Sequence, residues 1–169
     1  MIKLLLVRHG ETIDNANKIM QGQTQGELNE NGIKQAYKLS TELEHMNIDV
    51  FISSDLKRAV DTCRIIAKPH NKPVTTTNVL RERDWGSFTG MYIPDLKNAE
   101  WPDDIETIEE LKARASEFIM HLKKSYQSKT VLAVGHGIIN KAIQSVFYNK
   151  EMKDVMPMRN TEVRELIIK

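Results

Sequence analysis

The chain has 169 residues, 40% of them apolar and 28% charged, with a formal net charge of +1 at neutral pH. That length suits one well-packed domain over residues 1–169 and is short for two, and the composition excludes a disordered or fibrous protein. A balance so near neutrality offers no global attraction for nucleic acid or an anionic membrane, so any affinity for anions has to come from a local gathering of cations.

From the N-terminus, Leu4–Val7 reads as a buried strand, apolar on both faces as in a covered parallel sheet. It is only four residues long and runs into Arg8-His9, which does not fit an export signal. No later stretch approaches the roughly 20 apolar residues that cross a bilayer. The expected location is the cytoplasm.

Ile33, Ala36, Leu39, Leu43 and Met46 then recur at spacings of three and four behind Asn29, a competent N-cap, and predict a helix. Val50–Ile52 is a second buried strand. Leu56, Ala59, Val60, Cys63 and Ala67 form the next helical stripe, which Ser53 or Ser54 is expected to open and Pro69 to end. Cys63 lies on that stripe and reads as core packing; as the only cysteine it excludes an internal disulfide and a cysteine-rich zinc site.

Val74–Thr77 is a short β-branched strand. Residues 84–105 break the pattern as an irregular, lid-like segment holding Trp85, Phe88, Tyr92 and Trp101. These aromatics are either core or the lining of a pocket mouth. The capping box Thr107-Ile108-Glu109-Glu110 introduces a helix through Leu111, Ala115, Phe118, Leu122 and Tyr126. Val131–Val134 is a third buried strand, Ile139, Ala142, Ile143, Val146 and Phe147 mark a further helix, and Val163–Ile168 a last strand. Such alternation predicts a three-layer α/β/α sandwich, with a mostly parallel central sheet and helices on both faces.

In such a sheet ligands bind beyond the carboxyl ends of the strands. Two of the best strands end alike, in Arg8-His9-Gly10 and in Gly135-His136-Gly137, so each brings a histidine to one edge beside a glycine that admits close backbone approach. A third strand runs through Ser53-Ser54-Asp55 into a helix with Arg58 in its first turn. Helix N-termini at this edge are expected to add free N–H groups and partial positive charge. Taken singly, Arg-His-Gly is a weak motif, His136 an ordinary loop histidine and Arg58 a solvated helix cation whose loss costs little stability.

Together, Arg8, His9, Arg58 and His136 form a cation cluster that suits a dianionic phosphoryl group, with arginines gripping its oxygens and an imidazole in place as nucleophile. No His-x-x-x-His pair or comparable grouping shows metal-ligand spacing, so neither a metal nor another cofactor is expected.

At these residues the sequence resembles the histidine phosphatase superfamily, the phosphoglycerate mutase-like proteins. The resemblance runs in order through Leu6-Val7-Arg8-His9-Gly10-Glu11-Thr12 with Asn15, Gln21-Gly22, Leu28 to Ala36, and Ser53 to Ala59. It continues through Leu80-Arg81-Glu82 with Gly86 and Gly90 to Gly135-His136-Gly137. It implies His9 as nucleophile and Arg8, Arg58 and His136 as the phosphate pocket. Asn15, Gln21, Gly22 and Gly137 would be further phosphate contacts, and Glu82 the acid that protonates the leaving oxygen. Without the family, Arg81-Glu82-Arg83-Asp84 reads as a solvated charge run.

Asn29 stands where the family often has threonine and caps equally well. The segment after Glu82 is shorter than in the mutases and the chain stops at Lys169 after its last strand. Residues 84–110 hold one basic residue, Lys97, against eight acidic ones, which suits neither a bisphosphate nor phosphoglycerate. Hydrolysis of a small phosphorylated metabolite is therefore expected rather than mutase transfer. The short phosphohistidine-protein phosphatases lack the Leu-Arg-Glu motif, and a non-catalytic phospho-ligand-binding module would be expected to have lost His9 or Glu82. Whether the chain is a monomer or a dimer is not legible.

Overall fold

The computed structural model describes residues 1–169. Five strands, β1 (Ile2–Arg8), β2 (Val50–Ser54), β3 (Val74–Thr77), β4 (Thr130–Gly135) and β5 (Val163–Ile168), form one sheet in the order β3-β2-β4-β1-β5. The first four are parallel and β5 lies antiparallel against β1. Between them run α1 (Ile13–Ala16), α2 (Glu30–Leu43), α3 (Lys57–Ala67), α4 (Ile108–Ser125) and α5 (Gly137–Tyr148).

The all-apolar strands are explained by burial on both sides. Ile2, Leu4 and Leu6 of β1 with Val131 and Ala133 of β4 face α4 and α5. The alternate residues, Leu5, Val7, Leu132 and Val134, face α2 and α3. The result is the expected three-layer α/β/α sandwich. No helix is long and apolar enough to cross a membrane.

Helix boundaries follow local chemistry. The Asn29 side chain accepts from the Gly32 N–H to start α2, and the Thr107/Glu110 capping box starts α4. The stripe on α2 is narrower than its spacing suggests: Ala36, Leu39 and Leu43 are buried, whereas Ile33 is exposed and Met46 lies past the helix end.

Serine does not cap α3. Ser53 and Ser54 stay in β2, because their strand continues pairing with Thr76 and Thr77 of β3. Leu56 takes the cap position, and capping comes from outside: Gln25 accepts from the Lys57 N–H through Oε1 and from the Arg58 N–H through its carbonyl. Cys63 is fully buried on α3, its thiol directed at the Ile52 carbonyl and its pKa pushed up to about 12 by burial.

Candidate active site

β1 and β4 are neighbours in register, with Arg8 opposite Gly135. The next residue on each strand is therefore a histidine, and the His9 and His136 rings meet edge to face with centroids 5.0 Å apart. The loop after β1 is pressed close to α2, where a Cβ on Gly32 would overlap the Glu11 carbonyl. That loop is also tied to α3: Thr62 Oγ1 accepts from the Gly10 N–H at 3.0 Å and donates to the Arg58 carbonyl at 2.8 Å.

Arg58 is not the solvated cation its first-turn position suggests. It is 1% exposed, because loop 21–26 wraps its guanidinium. Gly22, in a left-handed turn (φ +52°), accepts from Nη2 at 2.8 Å, and the Thr24 and Gln25 carbonyls accept from Nη1. The buried Gln21 supports that loop by accepting from Thr12 Oγ1 at 3.0 Å. On the other side of the histidines, Arg8 Nη1 donates to the Met158 carbonyl at 2.7 Å. Each arginine thus spends part of its fork on backbone, while the Nε of each is buried without any partner. Both ring nitrogens of His136 are buried and unpartnered as well. Buried donors without acceptors are costly and uncommon, and this set collects around one point.

Both imidazoles are held neutral. Burial, then the Arg58 and Arg8 charges, lower His9 to about 3 against the opposing effect of its hydrogen bond to Gly10. Burial and the charges around it hold His136 well below the usual range. The Gly10 carbonyl can only accept, so at 2.7 Å it fixes the His9 proton on Nδ1 and leaves the Nε2 lone pair free. Arg58 is lowered to about 10, chiefly by burial, and stays charged at neutral pH.

A stability consequence follows from the two neutral rings. In the unfolded chain they protonate near pH 6.5, in the folded chain only far below it, so between those values the unfolded state binds more protons. Their contribution is full above pH 6.5 and is lost as pH falls below it, for His9 down to about pH 3. Urea denaturation is expected to show midpoints dropping steeply from pH 6.5 to 5 and flat from 7 to 8. A midpoint unmoved between pH 7 and 5 would show that the rings titrate normally.

Glu82 arrives from the loop after β3 and is no solvated charge. Its Oε1 accepts from the N–H groups of Arg83 (2.9 Å), Ile138 (3.0 Å) and Ile139 (3.1 Å), and Oε2 accepts from Ile138 at 3.1 Å. Gly137 stands between it and Arg8: a Cβ there would lie 3.6 Å from both Glu82 Oε2 and Arg8 Cζ. The expectation that helix N-termini supply free N–H groups to the anion is therefore corrected. Glu82 occupies the first turn of α5 and Gln25 that of α3, so the cationic character comes from arginine side chains.

Asn15 reaches the edge of this site on α1, its Oδ1 accepting from the Thr12 N–H at 3.2 Å and from Asn160 Nδ2 at 3.4 Å. Sequence reasoning missed Asn160, which also donates to the His9 carbonyl at 3.0 Å, and Thr62. Thr62 carried a usable signal, falling one turn after Arg58; Asn160 carried none.

Segment 84–105 is irregular apart from two single turns. Phe88, Leu96 and Ile105 form a small buried cluster with Trp85 against it, whereas Tyr92 and Trp101 are exposed. The Arg83 guanidinium lies over the Trp85 ring at 4.8 Å and the Trp101 ring at 5.4 Å. Asp84, Asp103, Asp104, Glu106 and Glu110, together with Gln23, Ile105 and Arg114, line a cavity of about 500 Å³. No three or more His, Cys, Asp or Glu side chains are grouped so as to hold a metal ion.

A family model described as histidine phosphatase superfamily (branch 1) matches residues 4–169. A metal-independent phosphoserine phosphatase of Arabidopsis thaliana is 36% identical over 159 residues, covering 83% of this chain but only 66% of that protein's length. Among solved structures, a mycobacterial glucosyl-3-phosphoglycerate phosphatase in complex with VO3 aligns with a TM-score of 0.90 at 26% identity, over 98% of this chain and 92% of that one. A mutant phosphoserine phosphatase of Entamoeba histolytica in complex with phosphoserine aligns with a TM-score of 0.89 at 26% identity, over 100% and 92%.

Proposed function

The chain belongs to the histidine phosphatase superfamily, branch 1, as a phosphoric monoester hydrolase, and we propose that it removes phosphate from a small phosphomonoester through a phosphohistidine on His9, without a metal. The whole chain acts as one catalytic domain, in the cytoplasm, with residues 84–105 as a short lid. The observation that carries this reading is the set of buried, unpartnered donors, Arg8 Nε, Arg58 Nε and the His136 ring, beside the free Nε2 of His9.

In the proposed cycle the phosphoryl oxygens accept from Arg8, Arg58, His136 and the amide of Asn15, while Gln21 and Gly22 hold the loop that positions Arg58. Two guanidiniums supply the charge stabilisation that phosphoryl transfer needs. His9 Nε2 attacks phosphorus in line with the ester oxygen, the P–O bond breaks, and Glu82 gives that oxygen its proton as the alcohol leaves. Water, deprotonated by the Glu82 carboxylate, then attacks the phosphorus and frees His9, releasing inorganic phosphate and restoring the acid. The phosphoserine phosphatases among the relatives make phosphoserine, whose ammonium group is compatible with the acidic segment 84–110, the first substrate to try. The excess of acidic residues over 84–110 favours hydrolysis over transfer to a second anionic substrate.

Hydrolysis of p-nitrophenyl phosphate is expected to persist in excess EDTA and to be inhibited by vanadate, which mimics pentavalent phosphorus. Activity lost to EDTA and restored by a divalent ion would overturn the metal-independent reading.

A further inference from the structure

Glu82 sits in a segment that no regular element holds. Residues 78–80 form a single turn after β3, and the chain then crosses to the first turn of α5 before entering the lid. What fixes this crossing is Arg114, on the second turn of α4. Its five N–H donors are all used: Nε and Nη2 grip the two Glu106 oxygens at 2.7 and 2.8 Å, Nη1 donates to the Val79 and Arg81 carbonyls at 2.8 Å each, and Nη2 also reaches the Glu82 carbonyl at 3.3 Å. Glu106 holds the following residues: Oε2 accepts from the Asp84 N–H at 3.0 Å, its N–H donates to the Asp84 carbonyl at 2.9 Å, and its carbonyl accepts from Arg83 Nε at 2.8 Å. The backbone is thus pinned on both sides of Glu82 by one largely buried ion pair.

We propose that Arg114, held by Glu106, is the positioning residue for the Glu82 proton donor; this rests on the reading of Glu82 as the acid. Only a planar fork reaches one carboxylate and three carbonyls at once, so lysine keeps the charge and loses the geometry. The carboxylate of Glu82 has to meet the leaving oxygen within hydrogen-bond reach, and a displacement of a fraction of an ångström weakens that step while leaving the phosphate clamp intact.

The test is single-turnover formation of the phosphoenzyme with glycerol phosphate, whose alkoxide needs a proton, and with p-nitrophenyl phosphate, whose phenolate does not. Arg114→Lys is expected to slow the first about 10- to 100-fold and the second less than about 3-fold, a fraction of what a positioned acid supplies. In a Glu82→Gln background the same substitution is expected to add nothing with glycerol phosphate. Should Arg114→Lys fail to fold, Glu106→Gln provides the same comparison. Equal slowing with both substrates, or full additivity with Glu82→Gln, overturns the positioning role alone. Equal slowing of both substrates by Glu82→Gln itself overturns the acid reading and this proposal with it.

Discussion

His9→Ala is expected to reduce turnover by about 10⁴- to 10⁶-fold, the scale on which removal of a covalent nucleophile acts in hydrolases. The His9 ring is neutral and its proton is committed to the Gly10 carbonyl, which leaves Nε2 with a free lone pair for attack. The substitution leaves Arg8, Arg58 and His136 in place, so inorganic phosphate should still raise the melting temperature of the variant. That observation separates lost chemistry from lost structure. Rapid quench at alkaline pH followed by peptide mass spectrometry should place phosphate on His9 in the unaltered protein. Label on His136, or turnover in His9→Ala within a factor of ten of normal, would show that the nucleophile lies elsewhere.

Glu82→Gln is the second large effect, and it depends on substrate. A positioned acid contributes about 10²–10⁴ in rate, or roughly 3–5 kcal/mol of barrier, and only where the leaving oxygen needs a proton. Glutamine keeps the shape and can still accept from Ile138 and Ile139 through its oxygen, but has no proton of suitable acidity to give. Phosphorylation of His9 by an alkyl phosphate should therefore slow by that factor, and by p-nitrophenyl phosphate far less. The first step has to be isolated in single-turnover experiments, because loss of the base in the later water attack slows steady turnover for both. Equal slowing of the first step would remove Glu82 as the acid and turn attention to Asp84.

Much of this architecture is legible in the chain itself, for a physical reason. Strands buried on both faces must be apolar at every position, so β1, β2 and β4 stand out, and the two histidines that follow β1 and β4 are brought together by strand pairing alone. Legibility fails where a distant segment supplies the missing partner. Ser53 and Ser54 look like caps, but β3 keeps them in the sheet and Gln25 does the capping. Arg58 looks exposed because nothing local shows that loop 21–26 folds over it. Arg81-Glu82-Arg83 looks solvated because its partners lie in the turn between β2 and α3 and on α4 and α5, at sequence distances that no local pattern encodes: Arg81 is paired with Asp55, Glu82 with α5, and the backbone around them with Arg114. Of the lid aromatics, Phe88 is core, whereas Tyr92 and Trp101 are exposed.

The burial of Cys63 bears on how such a protein withstands oxidative stress. Peroxide attacks a thiolate, and phosphatases that use one as nucleophile are silenced by it. Here the only thiol is sealed between α3 and the sheet, and burial pushes its pKa up to about 12, so it stays protonated at neutral pH. The proposed site is built from imidazole, guanidinium and carboxylate groups, none of which enters the sulfenic-to-sulfonic series. The proposed transfer through His9 would leave this enzyme without the cysteine redox brake, so its output would follow substrate supply while thiol-based phosphatases beside it are switched off.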